Sequence, residues 1–587
     1  MKTYLKEKIG NPGLFTGRKS EISYLLNWIR GIKREISMST AILSRRKTGK
    51  TALMQRLYNL IFEKNMGVIP LYYEIREGKQ WVADFCQDFY LTSIYQYIAF
   101  KTRKPEYVRI AQSSGKSFAR ARKAAREVGE YLTDEIEKVE SLVKEMRAGL
   151  LWDAVRNMPW TLATHHDESV VQMIDEFQFL NSEIYWDEAK TNKASDLAAG
   201  YLQTAEYKNA PLLVSGSWVG WLMNDLRTML PGRFITWHLD ELPEDDVAEM
   251  VFRYSLIYDI PVSENTAYLI AHLSEGNPFY ISALFRSRYP LKELASEEGV
   301  LKTLEFETLH KDGIIRGTWL EYIDSAFPRV NEKYAKDIVL YLSKHRDRSV
   351  SRDELKKHLG LDMPDYKLDR KMDALLKSDI IEKDIQYRGV QDNIFDKVFR
   401  SRYADDIDTF MTVEAREEYK TLFEGLREKY KSLSGEHNRY KGAFAEFVIS
   451  HHLIYEAYKN NDLFTEMMRN LPDDFRFAEY ESVRSYHSPP LHRPEFQLDI
   501  LARAADEEYS LIWEVKHRET KKFSVGEAEE FLEKAGELIR IEGITKYVLI
   551  VFSSAGFTRE TPEWLTNRGI AHSEDGRWLD THLLKKV

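Results

Sequence analysis

The stretch Ser44-Arg45-Arg46-Lys47-Thr48-Gly49-Lys50-Thr51 decides the fold of the amino-terminal half. It follows a short apolar run, Thr40 to Leu43, that predicts a central strand, and it precedes a helical pattern that begins at Ala52. A tight loop between a strand and a helix directs backbone N–H groups and the positive end of the helix dipole at an anion. We expect Lys50 to reach the outer phosphates and the Thr51 hydroxyl to ligate Mg²⁺. All eight residues are therefore predicted to form a nucleotide-binding loop.

Ser44 departs from the usual pattern, because it stands where this kind of loop has its first glycine. The serine carries a strain cost if the position requires a positive φ angle, and it is harmless if the position does not. A Gly-Lys-Thr sequence also occurs in ordinary turns before helices, so the loop alone does not establish nucleotide binding.

A second strand pattern, Val170 to Ile174, ends in the adjacent acids Asp175 and Glu176. We expect Asp175 to hold Mg²⁺ through water and Glu176 to orient or deprotonate an attacking water molecule. Two adjacent acids after a strand also occur as a solvated turn. The two halves in this order, on a pattern of parallel strands with crossover helices, favour a nucleotide site. A third strand pattern ends near Ser215, where a polar side chain could reach the attacking water or only accompany a turn.

Several segments together resemble the archaeal-type ATPases of the STAND class, relatives of AAA+ proteins, over about the first 400 residues. They are Phe15 to Glu21, the loop, IDEFQFL, LLVSGSW, Pro231 to Phe234 and Glu275 to Tyr280. The resemblance implies an α/β ATPase core with a parallel sheet, a helical lid near residues 240–310 and a following winged helix. It also implies ATP used as a switch and self-association through the core. Arg233 becomes a candidate γ-phosphate sensor, with a plain surface arginine as the alternative.

Residues 321–403 change in texture to short helices followed by a hairpin pattern. Helices are predicted at Tyr334 to His345, Ser351 to Leu359 and Asp365 to Lys377, with a strand at Ile380 to Tyr387. Three helices and a hairpin are typical of a winged helix. A charged helical connector follows.

The carboxyl-terminal segment contains Asp499 on one predicted strand and Glu514-Val515-Lys516 on the next. Side chains alternate along a strand, so Glu514 and Lys516 share one face, and Asp499 can complete a carboxylate pair beside the lysine. Two carboxylates suit Mg²⁺ or Mn²⁺ together with a substrate phosphate. A lysine beside the metal can orient water for attack on a phosphodiester. A charged strand at a sheet edge is the structural alternative.

This pattern resembles the PD-(D/E)xK nucleases, relatives of restriction endonucleases, over roughly residues 438–587. Glu446 matches the acid on the first helix of that pattern, and the segments Phe552 to Thr558 and Asn567 to Ile570 resemble the Mrr-like branch. The usual proline before the first acid is replaced by Leu498. The resemblance implies catalytic roles for Glu446, Asp499, Glu514 and Lys516, with Asp499 and Glu514 as metal ligands.

Charge is distributed unevenly along the chain. The 587 residues include 84 basic and 93 acidic side chains, for a formal charge of −9. The stretch from Lys101 to Arg126 nevertheless holds nine basic residues and a single acid, Glu106. It is a candidate phosphate-contacting surface, although such runs are often solvated faces or pair with acids elsewhere. A shorter basic cluster at residues 516–522 lies beside the proposed cleavage site and is the better candidate for backbone contact.

No stretch is apolar enough to span a bilayer, the start has no secretory signal, and the single cysteine, Cys86, excludes a disulfide framework. We therefore expect a cytoplasmic location and no membrane contact.

The expected architecture is a multidomain α/β protein. It comprises an ATPase core with lid at residues 1–310, a winged helix at 311–405, a connector at 406–437 and a restriction-endonuclease-like domain at 438–587. The leading hypothesis is an enzyme with ATPase and metal-dependent deoxyribonuclease activities, in which ATP controls cleavage of DNA in defence or DNA processing. The alternative is a nucleotide switch, acting as regulator or scaffold, whose nuclease-like domain binds nucleic acid or a protein partner without cleavage.

Overall fold

The structure is a computed structural model. It describes residues 4–216, 219–330, 334–361, 363–383, 386–402, 434–488, 494, 496–505, 507–518 and 520–580. Most of the predicted connector, residues 406–433, lies outside this part of the chain. The described residues fall into two compact units. The first comprises residues 4–242, 274–288 and 306–402, and the second comprises residues 243–273, 289–305 and 434–580.

The strands of the described chain are β1 (Thr40–Leu43), β2 (Ile69–Glu74), β3 (Gln80–Trp81), β4 (Val170–Asp175), β5 (Ile184–Tyr185), β6 (Leu212–Gly216), β7 (Ile235–His238), β8 (Ile381–Lys383), β9 (Tyr387–Gly389), β10 (Ser482–His487), β11 (Gln497–Arg503), β12 (Ser510–Lys516), β13 (Tyr547–Ser553) and β14 (Ala571–Ser573).

The helices are α1 (Lys19–Ile32), α2 (Lys50–Lys64), α3 (Val82–Thr102), α4 (Pro105–Ala111), α5 (Phe118–Ala125), α6 (Glu130–Lys144), α7 (Ala148–His165), α8 (Phe179–Ser182), α9 (Val219–Met229), α10 (Glu244–Tyr258), α11 (Glu264–Ser274), α12 (Pro278–Arg286), α13 (Glu297–Leu309), α14 (Ile314–Val330), α15 (Ala335–Lys344), α16 (Arg352–His358), α17 (Asp365–Lys377), α18 (Asn393–Arg402), α19 (Ser434–Tyr455), α20 (Asn461–Glu466), α21 (Val525–Glu542) and α22 (Thr561–Thr566).

The first unit is built on a five-stranded parallel sheet in the order β2-β4-β6-β1-β7. Every residue of β1, β4 and β6 is buried, as expected for central strands covered by helices on both faces. The strands are therefore largely apolar, and Asp175 and Ser215 stand at or near the carboxyl ends of β4 and β6. The mixed α/β class and the parallel sheet predicted from the sequence are confirmed.

The carboxyl-terminal part of the first unit contains α15, α16 and α17, followed by the antiparallel pair β8 and β9. This is the predicted order of three helices and a hairpin. Its membership of the winged-helix class stays a prediction. Ser351 is the N-cap of α16 and its side chain accepts a hydrogen bond from the Glu354 N–H, as its position predicted.

The second unit contains a mixed sheet in the order β10-β11-β12-β13-β14. The pairs β10–β11 and β11–β12 are antiparallel, whereas the pairs β12–β13 and β13–β14 are parallel. Helix α21 is the crossover between β12 and β13. Residues Trp513 and Val515 face one side and pack with Ala445 and Ile449 of α19. On the other side, Ile512 and Leu501 pack with α21. A carboxyl-terminal α/β sheet is therefore present.

Helix α10 belongs to this second unit, although it lies far from α19 in the chain. Phe252 of α10 contacts two rings of α19, with ring centroids 4.7 Å from Phe444 and 6.0 Å from Phe447. Phe252 is buried in this contact. Helix α10, from the segment predicted as a lid, thus packs on α19, the helix that precedes the carboxyl-terminal sheet.

His452 is a buried histidine in the core of the second unit. Its ring packs near Phe464 and Trp578, with centroids 5.4 and 6.3 Å away. Burial, aided by the neighbouring His451, lowers the pKa of His452 to about 4. The unfolded chain therefore binds a proton below pH 6.5 that the folded chain takes up only near pH 4, so stability falls as pH falls through this window.

We predict that His452→Phe reduces this pH dependence. Between pH 7 and pH 5 the wild-type second unit should lose about 2 kcal/mol through His452, and the variant should not lose that amount. Hydrogen exchange of β12 and β13 amides in the full chain measures the free energy of opening at both values. The exposed His358→Phe serves as control, and an equal loss in the wild type and in His452→Phe would contradict the assignment.

Candidate functional site

The nucleotide-loop candidate lies between β1 and α2, at the carboxyl edge of the parallel sheet. Lys47 and Gly49 adopt the left-handed region, with φ angles of 69° and 95°, whereas Ser44 does not have a positive φ angle. The serine at the first position of the loop is therefore free of that strain. The glycine that this backbone requires is Gly49, immediately before α2.

Lys50 is buried at the start of α2, and its ammonium group is held by the loop itself. Its Nζ donates hydrogen bonds to the carbonyl oxygens of Ser44 and Arg45, at 2.7 and 2.6 Å. Burial lowers the pKa of Lys50 to about 8, against the opposing charges of Glu176 and Asp175. A phosphate group would offer anionic oxygens in place of these carbonyl acceptors, so the lysine is placed to bind an anion.

Three strand ends meet beside this lysine. The Thr51 hydroxyl donates to an Asp175 carboxylate oxygen at 2.6 Å, and the Ser215 hydroxyl and the Tyr72 hydroxyl also donate to Asp175. Asp175 is fully buried at the end of β4. A hydroxyl and a carboxylate at this separation are oxygen donors of the kind Mg²⁺ prefers, so the residues fit the expected metal.

Glu176 follows Asp175 with a φ angle of 55°, and the Gln178 amide donates a hydrogen bond to its carboxylate. Its charge also acts on Lys50. The structure thus brings Glu176 to the same edge of the sheet as the loop.

Arg233 lies elsewhere. It precedes β7, whose first residue Ile235 pairs with Thr40 at the beginning of β1, whereas the loop follows the end of β1. Arg233 therefore lies toward the opposite edge of the parallel sheet. Its guanidinium pairs with Glu206 at 2.8 Å and donates to the Pro231 carbonyl at 2.9 Å. The structure does not bring this arginine to the loop of its own chain.

Basic side chains of the loop contact later elements of the first unit. Arg45 pairs with Glu382 of β8 at 3.3 Å, Arg46 lies 4.7 Å over the ring of Tyr322, and Lys47 lies 5.2 Å over the ring of Phe279. A small pocket opens among Arg45, Arg46, Glu241, Asn277, Trp319, Tyr322, Asp379, Asp392 and Phe395. Sequence reasoning missed these contacts because nothing local connects the loop with residues 319–395.

The second candidate site is a charged cluster on β11 and β12. The Lys516 ammonium lies 3.2 Å from Asp499 and 2.5 Å from Glu514, and the Val515 N–H donates to Asp499 at 2.7 Å. Burial and the Asp499 carboxylate raise the pKa of Glu514, and Lys516 and Lys534 oppose this shift. Burial alone would lower the pKa of Lys516, but the two carboxylates outweigh it and raise that pKa. The structure therefore brings together Asp499, Glu514 and Lys516.

Asp499 and Glu514 both contact the Lys516 ammonium group. When Lys516 contacts a substrate instead, the two carboxylates offer oxygen ligands of the kind that Mg²⁺ or Mn²⁺ accepts. Within the described ranges no group of three or more His, Cys, Asp or Glu side chains has metal-holding geometry. Glu446 lies on α19, which covers the face of the sheet opposite to Glu514 and Lys516. Its part in the cluster stays a prediction.

Part of the charge of the two basic stretches pairs with acids of the same unit. Lys101, Lys104, Lys116 and Arg122 pair with Glu168, Glu127, Asp88 and Glu140. In the shorter cluster, Arg518 and Lys521 both pair with Glu527, at 2.7 and 3.2 Å. Arg109, Arg120, Lys123 and Arg126 of the first stretch are exposed, so its role as a phosphate-contacting surface stays a prediction.

Comparison with known proteins adds similarity at the level of structure only. The chain matches no protein-family model and no curated protein. A Walker-type ATPase from Pyrococcus abyssi is 15% identical, with a TM-score of 0.42 over 68% of this chain and 98% of that one. The ORC2 protein of Aeropyrum pernix is 11% identical, with a TM-score of 0.36 over 66% and 95%.

The RuvB branch-migration motor of Thermotoga maritima is 14% identical, with a TM-score of 0.29 over 66% of this chain and 96% of that one. All three TM-scores lie below 0.5, so the sites are assigned on their own geometry. Among the described residues no helix is long and apolar enough to cross a membrane.

We predict that Gly49→Ala destabilises the loop, because its φ of 95° disfavours any L side chain. The added Cβ would lie 3.8 Å from Pro278, an ordinary contact, so the cost comes from the backbone and not from a clash. We expect a loss of about 1–2 kcal/mol in the free energy of unfolding, measured by urea denaturation without nucleotide. Gly149→Ala in α7 meets no atom within 4 Å and is the matched control. Equal stability of Gly49→Ala and wild type would refute the assigned backbone geometry.

Proposed function

We propose that this chain is a nucleotide-controlled, metal-dependent deoxyribonuclease, with an ATP site in the first unit and a cleavage site in the second. The observation that carries the nucleotide site is the meeting of Lys50, Thr51, Asp175 and Ser215 at one edge of a parallel sheet. The observation that carries the cleavage site is the triangle of Asp499, Glu514 and Lys516.

In the first unit, the backbone N–H groups of the loop and the amino terminus of α2 bind phosphate. Lys50 exchanges its two carbonyl acceptors for phosphate oxygens and neutralises their charge. Thr51 and Asp175 are the oxygen donors for Mg²⁺, which supplies charge neutralisation at the phosphates when bound. Glu176 orients a water molecule for attack on the terminal phosphate.

In the second unit, Asp499 and Glu514 are the ligands for Mg²⁺ or Mn²⁺, which polarises the scissile phosphate when bound. Lys516 carries a raised pKa and is positively charged at neutral pH, so it neutralises developing charge and orients water. DNA is the proposed substrate, and a second copy of the chain is a proposed partner through the first unit.

A second candidate function is supported by the same cluster. Lys516 is paired with both carboxylates, and the cluster offers only two acidic side chains to a metal. A cluster neutralised in this way suits a domain that binds nucleic acid without cleaving it. In that case the chain is a nucleotide switch that regulates or organises a partner.

The nucleotide site is tested by Lys50→Ala. We expect the affinity for ATP–Mg²⁺ to fall at least about tenfold, since the variant loses a charge-assisted contact with phosphate. Isothermal titration calorimetry on the full chain measures this. Lys64→Ala, at the exposed end of the same helix, is the matched control. Equal affinities of Lys50→Ala and wild type would remove the proposed site.

The cleavage site is tested by Lys516→Ala on linear, circular and single-stranded DNA and on RNA, in Mg²⁺ or Mn²⁺, with and without ATP. We expect the wild type to cleave DNA and the variant to lose about 100-fold or more in rate, because charge stabilisation at the phosphate is lost. The exposed Lys459→Ala is the control.

Absence of cleavage by the wild type under every condition favours the second candidate. Cleavage that is indifferent to Lys50→Ala contradicts control by nucleotide and leaves the nuclease assignment standing.

A further inference from the structure

A row of charged side chains on α21 lies alongside the cleavage-site cluster. Ala528, Phe531 and Ala535 form the buried stripe of this helix, packed on the sheet face that carries Glu514 and Lys516. Glu527, Glu530 and Lys534 each precede one of these residues by one position, so they form a second line immediately beside the buried stripe. The line therefore borders the sheet face on which the cluster stands.

The charges of the two rows are opposite in sign, position by position. Arg518 pairs with Glu527 at 2.7 Å, and Lys534 pairs with Glu530 at 2.7 Å. The charge of Lys516 acts on Glu530, and that of Lys534 acts on Glu514. The row that continues from β12 therefore runs in the opposite direction to the row on α21. Glu514 faces Lys534, Lys516 faces Glu530 and Arg518 faces Glu527. This order places Lys534 beside the carboxylate that ends the cluster.

Lys516 and Lys534 differ in what holds them. Lys516 lies between two largely buried carboxylates, whose side chains are 15% and 13% exposed. Lys534 is 31% exposed and is held by Glu530, which is 65% exposed. A solvent-exposed pair of this kind contributes little to stability, so an incoming anion displaces it at little cost. Lys534 can therefore exchange its partner for a substrate group.

We propose that Lys534 is a substrate-binding residue of the cleavage site and contacts a backbone phosphate of the nucleic acid next to the one at Lys516. The proposal rests on the proposed nuclease function and extends it to a second phosphate. An ammonium group offers three donors to phosphate oxygens. Glu530 keeps the side chain extended toward the site before the substrate arrives and releases it on binding. Lys516 on β12 and Lys534 on α21 border the same sheet face, so they take neighbouring phosphates along one strand of substrate.

The test is binding of a 30-base-pair DNA duplex to the full chain in Ca²⁺, which suits oxygen-ligand sites and separates binding from turnover. We expect Lys534→Ala to raise Kd about 3- to 10-fold and to reduce the slope of log Kd against log salt by about 1. Lys534→Arg should retain most of the affinity. In Mg²⁺, Lys534→Ala should raise KM with little change in kcat, since it removes a contact and no reacting group.

Arg540→Ala is the matched control. It removes one positive charge from the same helix, roughly 9 Å along the axis from Lys534. Like Lys534, Arg540 pairs with an acid of the preceding turn, Glu537. Its Kd and salt slope should equal those of the wild type. Glu530→Gln should tighten binding, and the double variant Glu530→Gln, Lys534→Ala should lose that gain.

Wild-type Kd and salt slope in Lys534→Ala would overturn the proposal, as would an equal loss in Arg540→Ala. Binding of the duplex by Lys534→Arg and wild type alike, without cleavage in Mg²⁺ or Mn²⁺, supports the phosphate contact while the nuclease assignment fails. A wild-type chain that binds no duplex refutes both.

Discussion

The hydrogen bond between Thr51 and Asp175 joins residues that are 124 positions apart, and the arrangement of the first unit depends on it. Parallel strands place all their carboxyl ends at one edge, so β1, β4 and β6 deliver the loop, the acid and the serine to one point. Asp175 is fully buried there and accepts hydrogen bonds from neighbouring hydroxyl groups. An isolated buried carboxylate would be costly, so this edge is organised around one acid.

The cluster of the second unit solves the same problem with an ion pair. Asp499 and Glu514 lie close together on adjacent strands, where their negative charges repel each other. The positive charge of Lys516 offsets this repulsion. Side chains on the other face of β12, such as Trp513 and Val515, are buried and packed beneath α19. Because successive side chains of β12 point to opposite faces, one face of the strand belongs to the core and the other carries the charged cluster. In both units, the reactive groups stand where regular structure leaves a polar position.

Local patterns predicted the elements well. The bounds of β1 agree with the predicted run Thr40 to Leu43, because this run is largely apolar and polar residues follow it. Local patterns did not predict contacts across long separations. The position of Arg233 depends on strand direction, and the contacts of Arg45 and Arg46 depend on how the chain returns to the loop. The place of Lys534 needs the packing of α21 on the sheet, which no spacing in the sequence specifies.

The packing of α10 on α19 has a consequence for how such a gene can be divided or assembled. The chain leaves the first unit at residue 242, contributes α10 to the second unit, and returns at residue 274. A gene fragment ending at residue 402 would encode Phe252 without its aromatic partners Phe444 and Phe447. The apolar face left open would be a site for aggregation. The two halves are therefore not interchangeable modules, and a recombination event that exchanges one of them must also supply a matching helix to the other.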